Sequence, residues 1–165
     1  MTFDEFVAAS QVSLLRTAAA LTGDVDSAQD LVQAALARCW LKWARVSSAD
    51  NPLAYTKRIL YTVFISEKRR RRPEVILESL PEVPAPIVAA FDEDLFKAIR
   101  ALPPRQRAVI VARYLDDLSE AEAAHQLKRS VGTIKSQTFK ALRALQDSPW
   151  LADTRNATLP NGTGA

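Results

Sequence analysis

Ser119-Glu-Ala-Glu-Ala-Ala-His-Gln-Leu-Lys-Arg-Ser-Val-Gly-Thr-Ile-Lys-Ser-Gln-Thr-Phe-Lys-Ala-Leu-Arg143 contains two helices and the turn between them. Ser119 and Glu122 have the spacing of a capping box, which starts a short helix running to about Leu127. After Lys128-Arg129, Ser130 caps a second helix whose apolar stripe is Ile134, Thr138, Ala141 and Leu145. A short capped helix, a tight turn and an amphipathic basic helix make a helix-turn-helix. Lys128 falls where such a turn favours glycine with positive φ. A side chain there costs about 1 kcal/mol, so the turn is expected to depart slightly from that geometry.

In a helix-turn-helix the second helix lies in the major groove of DNA, and its exposed face decides what it reads. With Ile134, Thr138 and Ala141 turned inward, the opposite side carries Lys135, Ser136, Phe139, Lys140 and Arg143. The three cations suit phosphates, Ser136 suits a base edge, and Phe139 suits a thymine methyl or a sugar. The alternative is that Phe139 packs against a neighbouring helix or the linker and the cations form an ordinary solvated face.

Upstream, Leu95, Ile99 and Leu102 have helical spacing, Pro103-Pro104 interrupts it, and Val109, Ala112 and Leu115 resume it before a turn at Asp116-Asp117. The amino-terminal part is helical as well. Phe3, Phe6 or Val7, Ser10, Leu14, Ala18 and Leu21 make one stripe, ended by Gly23. Asp26 and Gln29 start a second helix along Ala28, Leu31 or Val32, Ala35, Cys39 and Trp43. Asn51-Pro52 opens a third, through Ile59, Leu60, Val63 and Phe64 toward Arg72. No useful stretch alternates with period two, so the fold class is all-α.

Composition and charge divide the chain further. Its 165 residues suffice for one ordinary domain or two small ones. Residues 1–72 hold 11 Lys and Arg against 7 Asp and Glu, whereas residues 92–147 hold 10 against 8. Between them, residues 73–91 carry three Glu and no base, and four prolines fall in the first fourteen of those residues. The reading is two basic helical modules, 1–72 and 92–147, joined by a flexible Pro-rich acidic linker. Val75, Ile76, Leu77 and Leu80 make that linker more apolar than a solvated spacer needs. Residues 148–165 have no apolar period and are expected to form a disordered tail.

Within the first module, Lys68-Arg-Arg-Arg-Arg72 exceeds what a helix dipole needs and favours phosphate binding. Tyr55, Lys57, Arg58, Tyr61, Thr62 and Phe64 interleave aromatics with bases and hydroxyls, the mixture that stacks on unpaired bases while following a backbone. Phe64 is assigned to the core, and Tyr55 and Tyr61 are the better candidates for contact. Asp30 and Gln33 can face a protein partner.

Other chemistries are disfavoured. One Cys, Cys39, and one His, His125, leave no ordinary zinc cluster. Cys39 reads as an inert core thiol and His125 as structural. The acidic run from Asp24 lacks the Gly and Glu of a calcium loop at its sixth and twelfth places. No Walker loop, dinucleotide fingerprint or nucleophile elbow is present. The expectation is no catalysis and no cofactor, with no membrane span. Residues 1–10 lack a secretory pattern, so the expected location is the cytoplasm.

Taken in order, Ala20-Leu-Thr-Gly-Asp24 with Ala28-Gln-Asp-Leu-Val-Gln33, then Leu102-Pro-Pro-Arg-Gln-Arg107, Leu118-Ser-Glu-Ala-Glu122 and Ser130-Val-Gly-Thr-Ile-Lys-Ser-Gln-Thr138, resemble a sigma-70 family RNA polymerase sigma factor. The likeness is to the extracytoplasmic-function (ECF) type, with regions 2 and 4 alone, and to a group common in actinobacteria. It covers about residues 3–145. The resemblance implies a subunit, monomeric when free, that binds core RNA polymerase at the clamp helices and flap, recognises promoter DNA and helps open it.

Region 2 would meet the clamp helices around Asp30, Leu31 and Gln33. It would engage the minus-ten element with Asn51, Tyr55, Lys57, Arg58, Tyr61, Thr62, Lys68, Arg69, Arg70, Arg71 and Arg72. Region 4 would read the minus-thirty-five element with Ser130, Thr133, Lys135, Ser136, Phe139, Lys140 and Arg143. The linker would thread toward the polymerase active-site channel. An anti-sigma factor is a further partner that many relatives have. Where many relatives carry Trp and an Arg-Asn pair in the minus-ten helix, this chain has Tyr55 and Tyr61-Thr62. The competing readings are a stand-alone helix-turn-helix regulator and a helical protein-binding regulator of transcription.

Overall fold

The computed structural model of the chain describes residues 1–67 and 92–151. Lys68 to Arg72, the linker and most of the tail lie outside the described residues. Helix α1 (Phe3–Thr22) begins in a capping box between Thr2 and Glu5 and ends at Gly23, whose φ of 84° reverses the chain. Helix α2 (Val25–Trp40) starts two residues earlier than the sequence suggests. Asp24, not Asp26, is the N-cap, and its carboxylate accepts the Ser27 N–H at 2.8 Å. That bond pulls the Asp24 carboxyl below its usual range.

Trp43 is not on the α2 stripe. The helix ends at Trp40, and Trp43 opens a separate short helix, α3 (Trp43–Ser47), with its ring 5.2 Å from Phe3 and 5.3 Å from Phe6. Helix α4 (Pro52–Glu67) starts as expected, with Asn51 Oδ1 accepting the Ala54 N–H at 2.9 Å. Cys39 is buried where α2 meets α4, 3.5 Å from Thr56 Oγ1, and burial pushes its thiol up, as befits an inert core residue.

In the second half, α5 (Glu93–Ala101) is capped by Asp92 and stops at Leu102, whose extended backbone suits the residue before Pro103. Helix α6 (Pro104–Ile110) runs into a π-helical turn, Val111–Leu115, closed by Asp116 N–H to Val111 O at 3.0 Å. Helix α7 (Glu120–Leu127) has the predicted Ser119/Glu122 capping box, and α8 (Val131–Gln146) the predicted Ser130 cap. The tail is ordered at its start. Ser148 is buried and Pro149–Leu151 forms a 3-10 turn, with Lys97 Nζ 5.3 Å from the Trp150 ring. Residues 152–165 lie outside the described residues.

The two helical units share a core. Leu14, Leu21, Leu31, Leu60, Val63 and Phe64 of the first belong to one buried cluster with Val109, Ala112, Ala123 and Ile134 of the second. A smaller cluster, Leu102, Ile110 and Ala141, is private to the second unit. Polar contacts reinforce the junction. Arg107 is 7% exposed and donates to Leu21 O at 2.7 Å as well as to Arg100 O and Leu102 O, so it ties the carboxyl end of α1 to the turn before α6.

Gly23 lies under Arg100. A Cβ built on Gly23 would stand 2.7 Å from Arg100 Cδ, in addition to the strain of its positive φ. Gly23→Ala is therefore expected to lower stability to urea by about 1 kcal/mol or more. Adding Arg100→Ala should return only the steric share. An unchanged urea midpoint in the single variant would contradict this account of the turn.

Candidate nucleic-acid interface

Rotation of α8 about its own axis is set by Ile134 and Ala141, both fully buried. Their positions leave Lys135, Ser136, Phe139, Lys140 and Arg143 exposed along the opposite side. Phe139 is 65% exposed, which excludes packing against a neighbouring helix in this arrangement. At the amino end, Ser130 Oγ accepts the Thr133 N–H at 3.1 Å and lies 2.9 Å from Thr133 Oγ1. The uncapped backbone N–H groups of that first turn suit a phosphate. Lys135 Nζ stands 3.7 Å from Glu120 Oε2, an exposed pair between α7 and α8 that contributes little and parts readily for a stronger anion.

The turn between α7 and α8 does not depart from the left-handed geometry. Lys128 adopts φ 53° and ψ 48°, and Arg129 N–H closes the helix end on Ala124 O at 3.0 Å. The lysine accepts the strain that glycine would avoid. Glu122, bonded to the Ser119 N–H at 2.7 Å, has its carboxyl held below the usual range by that cap.

The residues assigned to the minus-ten element divide. Asn51 is exposed, Tyr55, Arg58 and Thr62 are half-buried, and Thr62 Oγ1 donates to Arg58 O at 2.8 Å. Tyr61 is not a surface residue. It is 1% exposed, and its hydroxyl donates to Asp116 Oδ2 at 2.6 Å. Burial first, then the Asp116 charge, pushes the phenol well above its ordinary value, so it stays a neutral donor. Lys57 Nζ lies 2.7 Å from Asp116 Oδ1 with its side chain 15% exposed. These two side chains face the second unit rather than solvent because α6 and α7 pack over that side of α4. Lys68, Arg69, Arg70, Arg71 and Arg72 fall outside the described residues.

Of the residues expected to meet polymerase, Asp30 is exposed and Gln33 half-buried on α2. Leu31 is 1% exposed and belongs to the core, so it supports that surface from beneath. His125 is exposed, with Nε2 3.4 Å from Arg58 Nη1 of α4, a contact between the two units. Sequence reasoning missed a basic cleft of about 360 Å³ where Arg38, Lys42 and Arg45 join Tyr55 and Arg58, with Lys128 at its rim. The spacing of Arg38, Lys42 and Arg45, four and three residues apart, is the signal that could have found it. Among the described residues no group of three acidic, Cys or His side chains is placed to hold a metal.

An exposed basic helix in a helix-turn-helix, with a basic cleft at a second helical unit, has the charge and geometry of a nucleic-acid-binding protein. Comparison with known proteins narrows this. Residues 6–74 match sigma-70 region 2, and residues 92–145 match sigma-70, region 4. The chain is 36% identical over 149 residues to the RNA polymerase sigma-E factor of Streptomyces coelicolor, covering 88% of this chain and 84% of that protein. It is 33% identical over 142 residues to the ECF RNA polymerase sigma factor SigL of Mycobacterium tuberculosis, covering 81% and 80%.

A solved structure of the sigma factor RpoE in complex with the anti-sigma factor NepR, from Bartonella quintana, superimposes with a TM-score of 0.66 at 25% identity, covering 88% of this chain and 94% of that one. The chain belongs to the sigma-70 family of RNA polymerase sigma factors, ECF type.

Because Lys128 holds a left-handed backbone, Lys128→Gly is expected to raise stability by about 0.5–1 kcal/mol. Thermal unfolding followed by circular dichroism checks this. A lower melting temperature would mean that the lysine side chain contributes more than its backbone costs.

Proposed function

We propose that this chain is the promoter-specificity subunit that joins core RNA polymerase in the cytoplasm and directs promoter recognition and opening, with no reaction of its own. The observation that carries this reading is the face of α8. Its buried residues Ile134 and Ala141 turn Lys135, Ser136, Phe139, Lys140 and Arg143 outward on the second helix of a helix-turn-helix. Those five, with Ser130 and Thr133 at the amino end, are the minus-thirty-five contacts. The cations grip phosphates, and Ser136 and Phe139 meet base edges and methyl groups.

Region 2 then holds the minus-ten element with Asn51, Tyr55, Lys57, Arg58, Thr62 and the run Lys68 to Arg72, while buried Tyr61 positions α4. Asp30 and Gln33 face the clamp helices of the largest subunit, and the helix-turn-helix unit approaches the flap. The linker threads toward the active-site channel. An anti-sigma factor is a second partner, a reading supported by the complex of the solved relative with NepR.

Net charge of +3 is modest for a DNA-binding protein. The isolated chain therefore binds duplex weakly, and specificity emerges when polymerase fixes the spacing of two weak sites. Transcription in vitro of genomic promoter fragments by core polymerase, with and without the chain, tests this. Lys135→Ala combined with Lys140→Ala should weaken promoter-dependent initiation and leave co-purification with core intact. The salt slope of DNA binding should fall by roughly 0.9 for each phosphate the variant no longer neutralises. No initiation and no association with core would overturn the reading.

A further inference from the structure

Among the described residues, all three hydrogen-bond partners of the Asp116 carboxylate belong to the other helical unit. Thr17 Oγ1 on α1 donates at 2.9 Å, Lys57 Nζ at 2.7 Å and Tyr61 Oη at 2.6 Å, both from α4. The carboxylate side chain is 5% exposed. Around it the same two units meet again. Gln126 Nε2 of α7 donates to Ala54 O at 3.0 Å, and His125 lies 3.4 Å from Arg58. The helix-turn-helix unit thus covers α4 from Ala54 to Tyr61, on the side that carries Lys57. An anion held by one ammonium and two hydroxyl donors is also how a nucleic-acid phosphate is bound. Asp116 occupies Lys57 in the way a phosphate of the promoter strand would.

We propose that Asp116 is an internal phosphate mimic that locks the free chain shut and withholds the Lys57 side of α4 from single-stranded DNA until a partner draws the units apart. This inference rests on the promoter-specificity reading and adds the regulation of its minus-ten surface. The lock is reversible because each buried polar group recovers a partner on opening: Asp116, Thr17 and the Tyr61 hydroxyl gain water, and Lys57 gains a strand phosphate. Thr17, placed on α1 outside every DNA contact, is a positioning residue for the carboxylate. Affinity for a strand that binds only the open form is reduced by the fraction of chains that are open.

The test uses the full chain and a fluorescein-labelled dT15 oligonucleotide in low salt, read by anisotropy, with small-angle scattering of the free protein. Asp116→Asn keeps the shape of the side chain and removes its charge. The control is Asp117→Asn, which makes the same charge change at the exposed neighbouring residue, where a left-handed φ of 52° is tolerated by asparagine. Asp116→Asn is expected to bind dT15 roughly tenfold more tightly than wild type and to show a larger radius of gyration, with Asp117→Asn close to wild type. Equal effects of the two substitutions would overturn the lock.

Should Asp116→Asn lose helicity, Thr17→Val with Gln126→Ala decides the matter. These loosen the junction from α1 and α7 without touching a proposed DNA contact, and an increase of about threefold or more is expected. No increase overturns the proposal. Initiation by wild type with core polymerase is scored separately. Its absence would sink the promoter-specificity reading, while the dT15 comparison would still show whether Asp116 masks α4.

Discussion

Helices α5 to α8 keep for themselves a private core of Leu102, Ile110 and Ala141, edged by Ile99 and Leu145. The rest of their apolar surface, Val109, Ala112, Ala123 and Ile134 among it, is buried in a cluster continuous with α1, α2 and α4. A unit this small lacks the interior to be stable by burial alone. Each aliphatic side chain it hides against its neighbour contributes about 1.5–3 kcal/mol. The constraint that follows is simple: this surface is covered by the first unit, or something else must cover it. Every polar contact at the junction, from Arg107 on Leu21 O to Asp116 on Tyr61, is set on that apolar base.

The arrangement treats the two DNA surfaces differently. The outward face of α8 is open, with Phe139 and its cations in solvent, while the side of α4 that carries Lys57 and Tyr61 is closed. A duplex can be touched by the first without disturbing the junction. On the proposal above, a melted strand reaches the Lys57 side of α4 only when the units separate. A subunit that searches by one surface and opens DNA by the other gains from having the second masked while it is free. On that proposal, partner binding both spaces the modules and exposes the Lys57 side of α4.

Local signals were read well from the sequence. The Ser119/Glu122 box, the Ser130 cap, the Gly23 stop and the rotation of α8 depend on residues three or four apart, and the structure has each of them. Errors arose where two local answers compete or where the deciding contact is distant. Asp24-Val-Asp26 offers two N-caps, and the turn at Gly23 delivers the first. Trp43 continues the spacing of α2, yet the ring cluster with Phe3 and Phe6 holds it across a break.

Tyr61 and Lys57 lie on an α4 side that looks solvent-facing until the second unit is placed on it, through a partner 55 residues away from Tyr61 and 59 from Lys57. Asp116 read as a turn residue for the same reason. Nothing in its neighbourhood in the chain announces three donors from α1 and α4.

The separation of the two units, free and bound, is the quantity on which the account turns. Cysteines introduced at exposed Val12 and Ala121 carry spin labels, while Cys39, buried and with its thiol pushed up, is left unlabelled. Pulsed dipolar spectroscopy should give one short distance for the free chain and a distinctly longer one once core polymerase is added. The same distance in both states, or a long and broad distribution in the free chain, would contradict the closed junction and the role given to it.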